Sequence, residues 1–416
     1  MTTMKSSPRA FSSTRWRAEV GGIEVVFGPG AVEELGGLAG ELGARRALLV
    51  TDPGVRAAGH AGRAAAALAA AGVEARIFDG VAENPTTLHV ESGREEAARW
   101  GADLLVGLGG GSAMDCAKGI NFLLTNGGRM EDYRGFGRAT RPMLPSIGIP
   151  TTAGTGSEAQ SYALISQAES HQKMACGDRK ARFRVVVLDP ALAASAPRPV
   201  AAAAGLDALS HAVESLVCRR ANPVSRMLSR EAWRRLAPNF ERSLAAPADL
   251  GAAGAMLLGA HLAGAAIEVS MLGAAHACAN PLTARYGVAH GAAVALLLPH
   301  VVRFNSAGAS AADAPLAAGP QISRTAERPA AGGDAGQAAG GAGYAALDGC
   351  GSGEELAARI EAWRGAAGLP ARLREVGVEP SALDGLAREA AEQWTAGFNP
   401  RPVGAGDLLR LYEQAY

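Results

Sequence analysis

A strand-like run followed directly by a glycine-rich turn is the feature that most limits how this chain can fold. Residues 104–108 are continuously apolar and lead into Gly109, Gly110, Gly111 and Ser112, after which the pattern becomes helical. Glycines let the backbone approach a ligand closely, and the N–H groups and dipole of a helix N-terminus favour negative charge. The arrangement predicts a pyrophosphate loop in which Ser112 caps the helix and donates to a phosphate oxygen. A tight strand-to-helix turn without a ligand explains these four residues equally well.

Short β-rich runs alternate with Ala-rich helical segments up to about residue 196, which is typical of a βαβ sheet domain. Strands are expected at residues 46–51, 74–78, 104–108, 145–150 and 184–188, and helices at 57–71 and 88–100. From Val200 onward the apolar spacing is helical, with no convincing alternating strand.

These patterns predict a two-domain chain. We expect an α/β Rossmann-like domain at residues 19–197 and an all-α domain at residues 198–416. Residues 1–18 are interpreted as a flexible lead-in, and residues 307–343, rich in Ala, Gly and Pro, as an insertion or loop.

Composition excludes several classes of protein. The chain has 40 Lys+Arg and 40 Asp+Glu, which argues against nucleic acid or an anionic membrane surface as the main partner. Residues 251–267 are apolar but consist mainly of Ala and Gly around His261, so a buried helix is favoured over a membrane span. Five widely spaced cysteines without a CxxC pair predict a reduced, cytoplasmic setting.

Two further polar elements follow predicted strands. The loop at residues 150–158 has four hydroxyl side chains and two glycines, which is more backbone-binding capacity than a simple connection needs. Asp52 stands at the end of the first predicted strand, where a carboxylate can bind an adenosine ribose and repel a 2'-phosphate. That position favours NAD over NADP, although an Asx turn before Pro53 explains Asp52 about as well.

One aspartate and three histidines have the spacing of a cation site. Asp207 and His211 are four residues apart in a helical segment, so their side chains share a face, but such a pair alone is more often an ordinary ion pair or hydrogen bond. His276 and His290 lie in a segment of low polarity where they need partners. Together the four predict a site for Zn(II) or Fe(II). The remaining histidines are interpreted as surface or satisfied core residues: His60, His89, His171, His261 and His300.

The motifs together resemble those of the iron-containing, or group III, alcohol dehydrogenases, whose fold is dehydroquinate-synthase-like. The resemblance covers nearly the whole chain from about Gly28, apart from the Ala-rich stretch. Its landmarks are residues 27–30, 50–52, 84–86, 109–118 (GGGSAMDCAK), 150–158 (PTTAGTGSE) and 207–211, with His276 and His290.

The resemblance implies an active site in a cleft between the two domains and reversible hydride transfer between a small primary alcohol and its aldehyde. It implies that the metal ligands are Asp207, His211, His276 and His290. The positions predicted to bind the dinucleotide are Asp52, Asn84, Gly109, Gly110, Gly111, Ser112, Asp115, Thr151, Thr152, Thr155, Lys173 and Leu188. A homodimer or higher homo-oligomer is expected.

One position departs from the family pattern. Many relatives have a histidine four residues after the third ligand, near the substrate, where this chain has Asn280. Asparagine forms hydrogen bonds but does not exchange protons near neutral pH. A catalytically altered relative therefore stays an alternative, as do enzymes like maleylacetate reductase or dehydroquinate synthase. The last would need several cationic side chains for a phosphorylated substrate, and only Arg285 lies near the ligand segments.

Overall fold

The computed structural model describes residues 15–170, 172–307 and 343–416. Its N-terminal part is built on ten strands. These are β1 (Trp16–Val20), β2 (Ile23–Phe27), β3 (Arg46–Val50), β4 (Glu74–Phe78), β5 (Leu104–Gly109), β6 (Gly135–Phe136), β7 (Ser146–Pro150), β8 (Tyr162–Ser166), β9 (Lys173–Gly177) and β10 (Val185–Leu188).

Seven of the strands form one sheet in the order β1-β2-β10-β7-β5-β3-β4. All neighbours are parallel except β1 and β2, which pair antiparallel. Strands β3, β5, β7 and β10 are almost entirely buried, as expected for a parallel sheet covered on both faces. Because parallel strands end at the same edge, the loops after β3, β5 and β7 meet there. A smaller sheet has the strand order β6-β9-β8, and its strand β8 packs against the helix at residues 111–126.

Helices connect the strands and make up the described part of the chain beyond β10. In the N-terminal part they are α1 (Leu35–Glu41), α2 (Pro53–Ala57), α3 (His60–Ala70), α4 (Thr87–Trp100), α5 (Gly111–Asn126) and α6 (Pro190–Ala193). The C-terminal helices are α7 (Arg198–Val217), α8 (Pro223–Leu236), α9 (Phe240–Ala245), α10 (Leu250–Glu268), α11 (Ala274–Tyr286), α12 (His290–Ser306), α13 (Gly353–Ala366), α14 (Leu383–Glu392) and α15 (Ala405–Ala415). The predicted fold class, an α/β domain followed by a helical one, is confirmed.

Helices α7 and α10 form the centre of the C-terminal part. Both are long and apolar enough to cross a membrane by length and composition, but 83% and 89% of their apolar windows are buried inside the protein. Helices buried to this extent are core helices. The prediction of a buried helix at residues 251–267 is therefore confirmed. Most of the predicted insertion, residues 308–342, lies outside the described residues.

Several local predictions need correction. The single helix expected at residues 57–71 is two helices, because Gly59 adopts a left-handed φ of 83° that ends α2 before α3 begins. Residues 16–18 are part of strand β1 and not of a flexible lead-in, since Trp16 stacks on Phe27 of the paired strand with ring centroids 5.2 Å apart. The small sheet β6-β9-β8 was not predicted, because its strands are short and lack clear alternation.

Candidate active site

Helix α7 carries the first two predicted ligands on one buried face. Asp207 and His211 are four residues apart, and the distance from Asp207 Oδ1 to His211 Nε2 is 3.4 Å. Both side chains are almost completely buried. The helical spacing seen in the sequence therefore places carboxylate and imidazole together, as predicted.

The other two histidines reach the same carboxylate oxygen from different helices. The Nε2 atom of His276 on α11 lies 3.5 Å from Asp207 Oδ1, and that of His290, the first residue of α12, lies 3.9 Å from it. Gly287 ends α11 in a left-handed conformation, which turns the chain back toward α12. A side chain at Gly291 would collide with the carbonyl of Ala203, so glycine permits α12 to approach α7 this closely.

The donor set fits a divalent cation. The Oδ1 atom of Asp207 and the Nε2 atom of His276 are buried without a hydrogen-bond partner in the described parts of the chain, which is costly unless something else satisfies them. Ligand atoms of Asp207, His276 and His290 all lie within 4.8 Å of one another. Three imidazole nitrogens around one carboxylate suit Fe(II) or Zn(II).

Burial and neighbouring charges set the protonation of this cluster. Burial lowers the pKa of His211 to about 4 and that of His290 to about 3, so both imidazoles are neutral and able to ligate at pH 7. Burial would also lower the pKa of His276, but the carboxylate of Glu214 outweighs it and raises the pKa to about 9. Burial opposes ionisation of Asp207, yet the facing histidines hold its pKa well below the usual range.

Glu214 is a site residue that the sequence analysis missed. Its Oε2 accepts a hydrogen bond from Nδ1 of His276 at 2.5 Å, and its Oε1 accepts one from the backbone of Ala275 at 2.8 Å. Glu214 lies seven residues after Asp207, two turns along the same face of α7. That spacing was a usable signal. A carboxylate behind a ligating histidine fixes the orientation of the ring and makes it more basic.

The glycine loop at the end of β5 has the form expected of a phosphate loop. Gly109 has a φ of +152°, which favours glycine, and α5 begins at Gly111 with Gly110 as its N-cap. Ser112 therefore lies in the first turn of the helix and is not the cap, which corrects that part of the prediction. The free N–H groups of this turn remain suited to an anion.

The second loop packs directly onto the first. The backbone of Thr151 donates to the carbonyl of Gly109 at 2.9 Å. A Cβ atom at Gly111 would lie 2.7 Å from the Cγ2 atom of Thr155, and one at Gly110 would lie 3.4 Å from the Oγ1 atom of Thr152. The structure thus brings together the glycines of one predicted loop and the threonines of the other, although the contacting pairs are 42 to 44 residues apart in sequence.

Asp52 is an Asx cap, as one interpretation of its position predicted, and it also lies beside the glycine loop; its contact with a ribose stays a prediction. Its Oδ1 accepts from the backbone of Val55 at 2.9 Å, so it caps α2 as an Asx residue. Its Oδ2 lies 3.3 Å from the position that a Cβ would occupy on Gly109. The carboxylate therefore stands beside the phosphate loop while it caps a helix.

Asn84 and Lys173, 89 residues apart, are in direct contact. The Nζ atom of Lys173 donates to Oδ1 of Asn84 at 3.2 Å, and Asn84 adopts a positive φ of 52° in the turn before α4. Burial lowers the pKa of Lys173, opposed by the charges of Asp115 and Asp207. The charges that act on Lys173 thus include one from the phosphate-loop helix and one from the predicted metal ligands.

Two predicted cofactor positions are buried in the protein itself. Asp115 accepts a hydrogen bond from Ser157 Oγ at 2.5 Å and is only 8% exposed. Leu188 is fully buried in β10, in register with Phe27 of β2. Their contact with a dinucleotide stays a prediction.

Asp189 is a residue that the sequence analysis did not select. It accepts a hydrogen bond from the backbone of Gly30 at 3.0 Å, so it stabilises the turn at residues 27–30.

Asn280 lies one turn after His276 on α11, and its Nδ2 donates to Oε1 of Gln393 at 3.0 Å. Of the histidines assigned no special role, three have a polar partner on one ring nitrogen: Ser195 for His60, Thr86 for His89 and Glu158 for His261. Among the described residues, Nδ1 of His60 and Nε2 of His261 are buried without a hydrogen-bond partner. His171 lies outside the described residues.

The sheet has two polar loops at its carboxyl edge, and the helical part of the chain gathers three histidines around one carboxylate. These features are those of an oxidoreductase that uses a dinucleotide and a metal. Residues 23–190 match the family described as iron-containing alcohol dehydrogenase, and residues 201–416 match the C-terminal region of the same family.

Full-length relatives agree with this match. The chain is 33% identical to 1,3-propanediol dehydrogenase of Citrobacter freundii, over 94% of this chain and 96% of that protein. It is 31% identical to NAD-dependent methanol dehydrogenase of Bacillus methanolicus, over 94% of this chain and 97% of that protein. A solved structure of 1,3-propanediol oxidoreductase superposes with a TM-score of 0.82 at 30% identity, covering 98% of this chain and all of the other. The chain belongs to the iron-containing alcohol dehydrogenase family, and the resemblance is confirmed.

Proposed function

We propose that this chain interconverts a small primary alcohol and its aldehyde, with NAD(H) preferred over NADP(H) and with Fe(II) or Zn(II) as its metal. The observation that carries the proposal is the meeting of three Nε2 atoms around Asp207 Oδ1, in a protein whose glycine and threonine loops share one sheet edge. The related propanediol and methanol dehydrogenases support the class of substrate.

When bound, the divalent cation would supply Lewis acidity toward the substrate oxygen, and the dinucleotide would supply hydride exchange. The chain supplies the binding and orientation. Asp207, His211, His276 and His290 would hold the cation, and Glu214 holds the ring of His276 in place. Asp207, His211, Glu214 and His276 are buried, which limits the access of water to the cation, whereas His290 is 27% exposed.

Asp52 supports the preference for NAD. Its Oδ2 lies beside Gly109 at the end of the sheet, where a ribose would follow the pyrophosphate. A carboxylate at that place accepts hydrogen bonds from ribose hydroxyls and repels a 2'-phosphate. The NAD dependence stated in the name of the methanol dehydrogenase relative supports the same assignment.

Proton exchange must work without a histidine at position 280. Asn280 donates to Gln393, so it contributes a hydrogen-bonding group and no titrating one. Lys173 is a titratable group at the site whose pKa burial lowers, and it lies close enough to Asp207 to feel its charge. We therefore propose that proton exchange at this site depends on Lys173 and not on Asn280.

Of the alternatives, a dehydroquinate-synthase-like reaction has the least support. Arg285, the cation nearest the ligand segments in sequence, forms an ion pair with Glu389. The charge of the Arg285 side chain is thus balanced by Glu389, whereas binding a phosphorylated substrate would need cationic side chains without such a partner.

We also propose a cytoplasmic location and a homodimer or higher homo-oligomer, with neither nucleic acid nor membrane as partner. The location is supported by the five cysteines, which are all buried and free of disulfides.

The test is a substrate panel with protein reconstituted anaerobically with Fe(II) or Zn(II), run with NADH and NADPH side by side. We expect turnover of small aldehydes with NADH, at least tenfold lower kcat/KM with NADPH, and one metal per chain by elemental analysis. No turnover by protein that binds both metal and NADH would refute the proposed reaction. A clear preference for NADPH would refute the assignment of Asp52.

A further inference from the structure

Lys118 is a buried cation on α5, two turns after the phosphate loop. Its side chain is 1% exposed. The ammonium donates to the carbonyl of Ser157 at 2.7 Å, to the hydroxyl of Ser157 at 3.0 Å and to the carbonyl of Tyr162 at 2.8 Å. All three acceptors belong to the second loop or to the first residue of β8 that follows it, so one side chain joins the two predicted cofactor loops.

Asp115 completes this arrangement from the same helix. The hydroxyl of Ser157 donates to Asp115 Oδ1 at 2.5 Å, and Asp115 Oδ1 lies 3.9 Å from Lys118 Nζ. The ammonium also lies 5.3 Å from the centre of the Phe183 ring. A buried ammonium is stable only when its donors and its charge are satisfied, and here three acceptors, one carboxylate and one ring do so.

The second loop, residues 150–158, packs tightly on the glycine loop, so its position must be fixed closely. Thr155 lies so close to Gly111 that even a methyl group there would be crowded, and Thr152 lies 3.4 Å from where a Cβ atom of Gly110 would be. A shift of a few tenths of an ångström in the second loop would therefore change the surface that faces the sheet edge. The ammonium of Lys118 is placed to prevent that shift because it holds the second loop at Ser157, two residues after Thr155.

We propose that Lys118 is a positioning residue for the dinucleotide: through Ser157, and with Asp115 as counter-charge, it fixes the second loop against the phosphate loop without touching the cofactor. The inference rests on the proposed function in one respect, namely that these two loops bind the dinucleotide. It changes the role of Asp115 from a direct contact to a part of the scaffold.

The test compares Lys118→Met, which keeps most of the side-chain volume, with Ser157→Ala, which removes the bridging hydroxyl and leaves both charges. The matched control is Lys180→Met, since Lys180 also donates to a carbonyl, that of Ala139 at 3.0 Å, and pairs with an aspartate, but in a partly exposed position. For each protein we would measure the NADH dissociation constant by calorimetry, metal content, melting temperature and hydrogen exchange of residues 150–162.

We expect the NADH dissociation constant to rise about tenfold or more in Lys118→Met and by a smaller factor in Ser157→Ala. Hydrogen exchange should accelerate in residues 150–162, metal content should stay at the wild-type level, and kcat at saturating NADH should change less than threefold. Lys180→Met should bind NADH like the wild type.

An unchanged NADH affinity in a folded Lys118→Met variant would overturn the inference. If that variant does not fold, Ser157→Ala decides, and unchanged affinity and exchange there would overturn it too. Equal losses of NADH binding, metal and melting temperature would show a general structural role instead and also refute it. Failure of the wild-type protein to bind NADH would refute the proposed function, and the inference with it.

Discussion

The carboxylate of Glu214 accepts a hydrogen bond from Nδ1 of His276 at 2.5 Å, and both side chains are buried. Because Nδ1 is held by Glu214, Nε2 is the ring atom that faces Asp207 and the other ligands. The relationship joins α7 to α11, so it couples the orientation of one ligand to the helix that carries two others.

Replacing Glu214 with glutamine should therefore weaken metal binding. We expect a 10- to 100-fold loss of Fe(II) or Zn(II) affinity, of the order seen when such outer partners of a metal ligand are removed. The measurement is metal competition with a calibrated chelator under anaerobic conditions. The exposed Glu413 gives a control, Glu413→Gln, whose affinity should match the wild type. Equal affinity in the two variants would contradict the role assigned to Glu214.

Replacing Asp52 with serine should change the choice of dinucleotide. Serine keeps a side-chain oxygen for the cap on Val55 but removes the charge beside Gly109. The ratio of kcat/KM with NADPH to that with NADH should rise by about tenfold or more, as expected from the loss of a like-charge repulsion. Asp79→Ser is the control, because Asp79 pairs with Arg56 at the surface. An unchanged ratio in Asp52→Ser would mean that the carboxylate serves only as a cap.

Replacing Gly111 with alanine should impair dinucleotide binding. The new Cβ atom would lie 2.7 Å from Thr155 Cγ2, so one of the two loops must move. We expect the NADH dissociation constant to rise about tenfold, corresponding to about 1.4 kcal/mol, with metal content unchanged. Adding Thr155→Ala should restore part of the affinity, since it removes the atoms that clash most. Gly62→Ala, on the open side of α3, should bind NADH normally.

His300 should make stability depend on pH. Burial, aided by Arg303, lowers its pKa to about 4 from an ordinary value of 6.5. Between those values the unfolded chain binds a proton that the folded chain does not, so the free energy of unfolding should fall as the pH drops from 6.5 to 4. After allowance for the partial exposure of His300, we expect about 1 to 2 kcal/mol.

The measurement for His300 is denaturant unfolding of wild type and His300→Gln at pH 7.5, 5.5 and 4.5. The variant lacks the titrating group, so the difference in stability between the two proteins should shift in its favour toward low pH. The same difference at all three values would contradict the lowered pKa of His300.

Much of the fold and of the metal site was predictable because its causes are local. The apolar run before Gly109 predicts a strand, and glycine is required there by backbone geometry alone. Asp207 and His211 share a face because an α-helix repeats every 3.6 residues. Gly59 shows the limit of such inference: the helical pattern continued through it, yet its left-handed backbone divided the helix in two.

The sequence by itself determined which side chains were available: the glycine loop, the threonine loop, three candidate histidines and a carboxylate. Only the tertiary structure decided which of them meet. Three contacting pairs are far apart in the sequence. Glu214 and His276 are separated by 62 residues, Asn84 and Lys173 by 89 residues, and Lys118 and Ser157 by 39 residues. Distances within a helix follow from its fixed geometry, whereas contacts between elements depend on how the sheet and helices pack. The same packing makes Asp115 a buried partner of Ser157, which its position in the motif did not reveal.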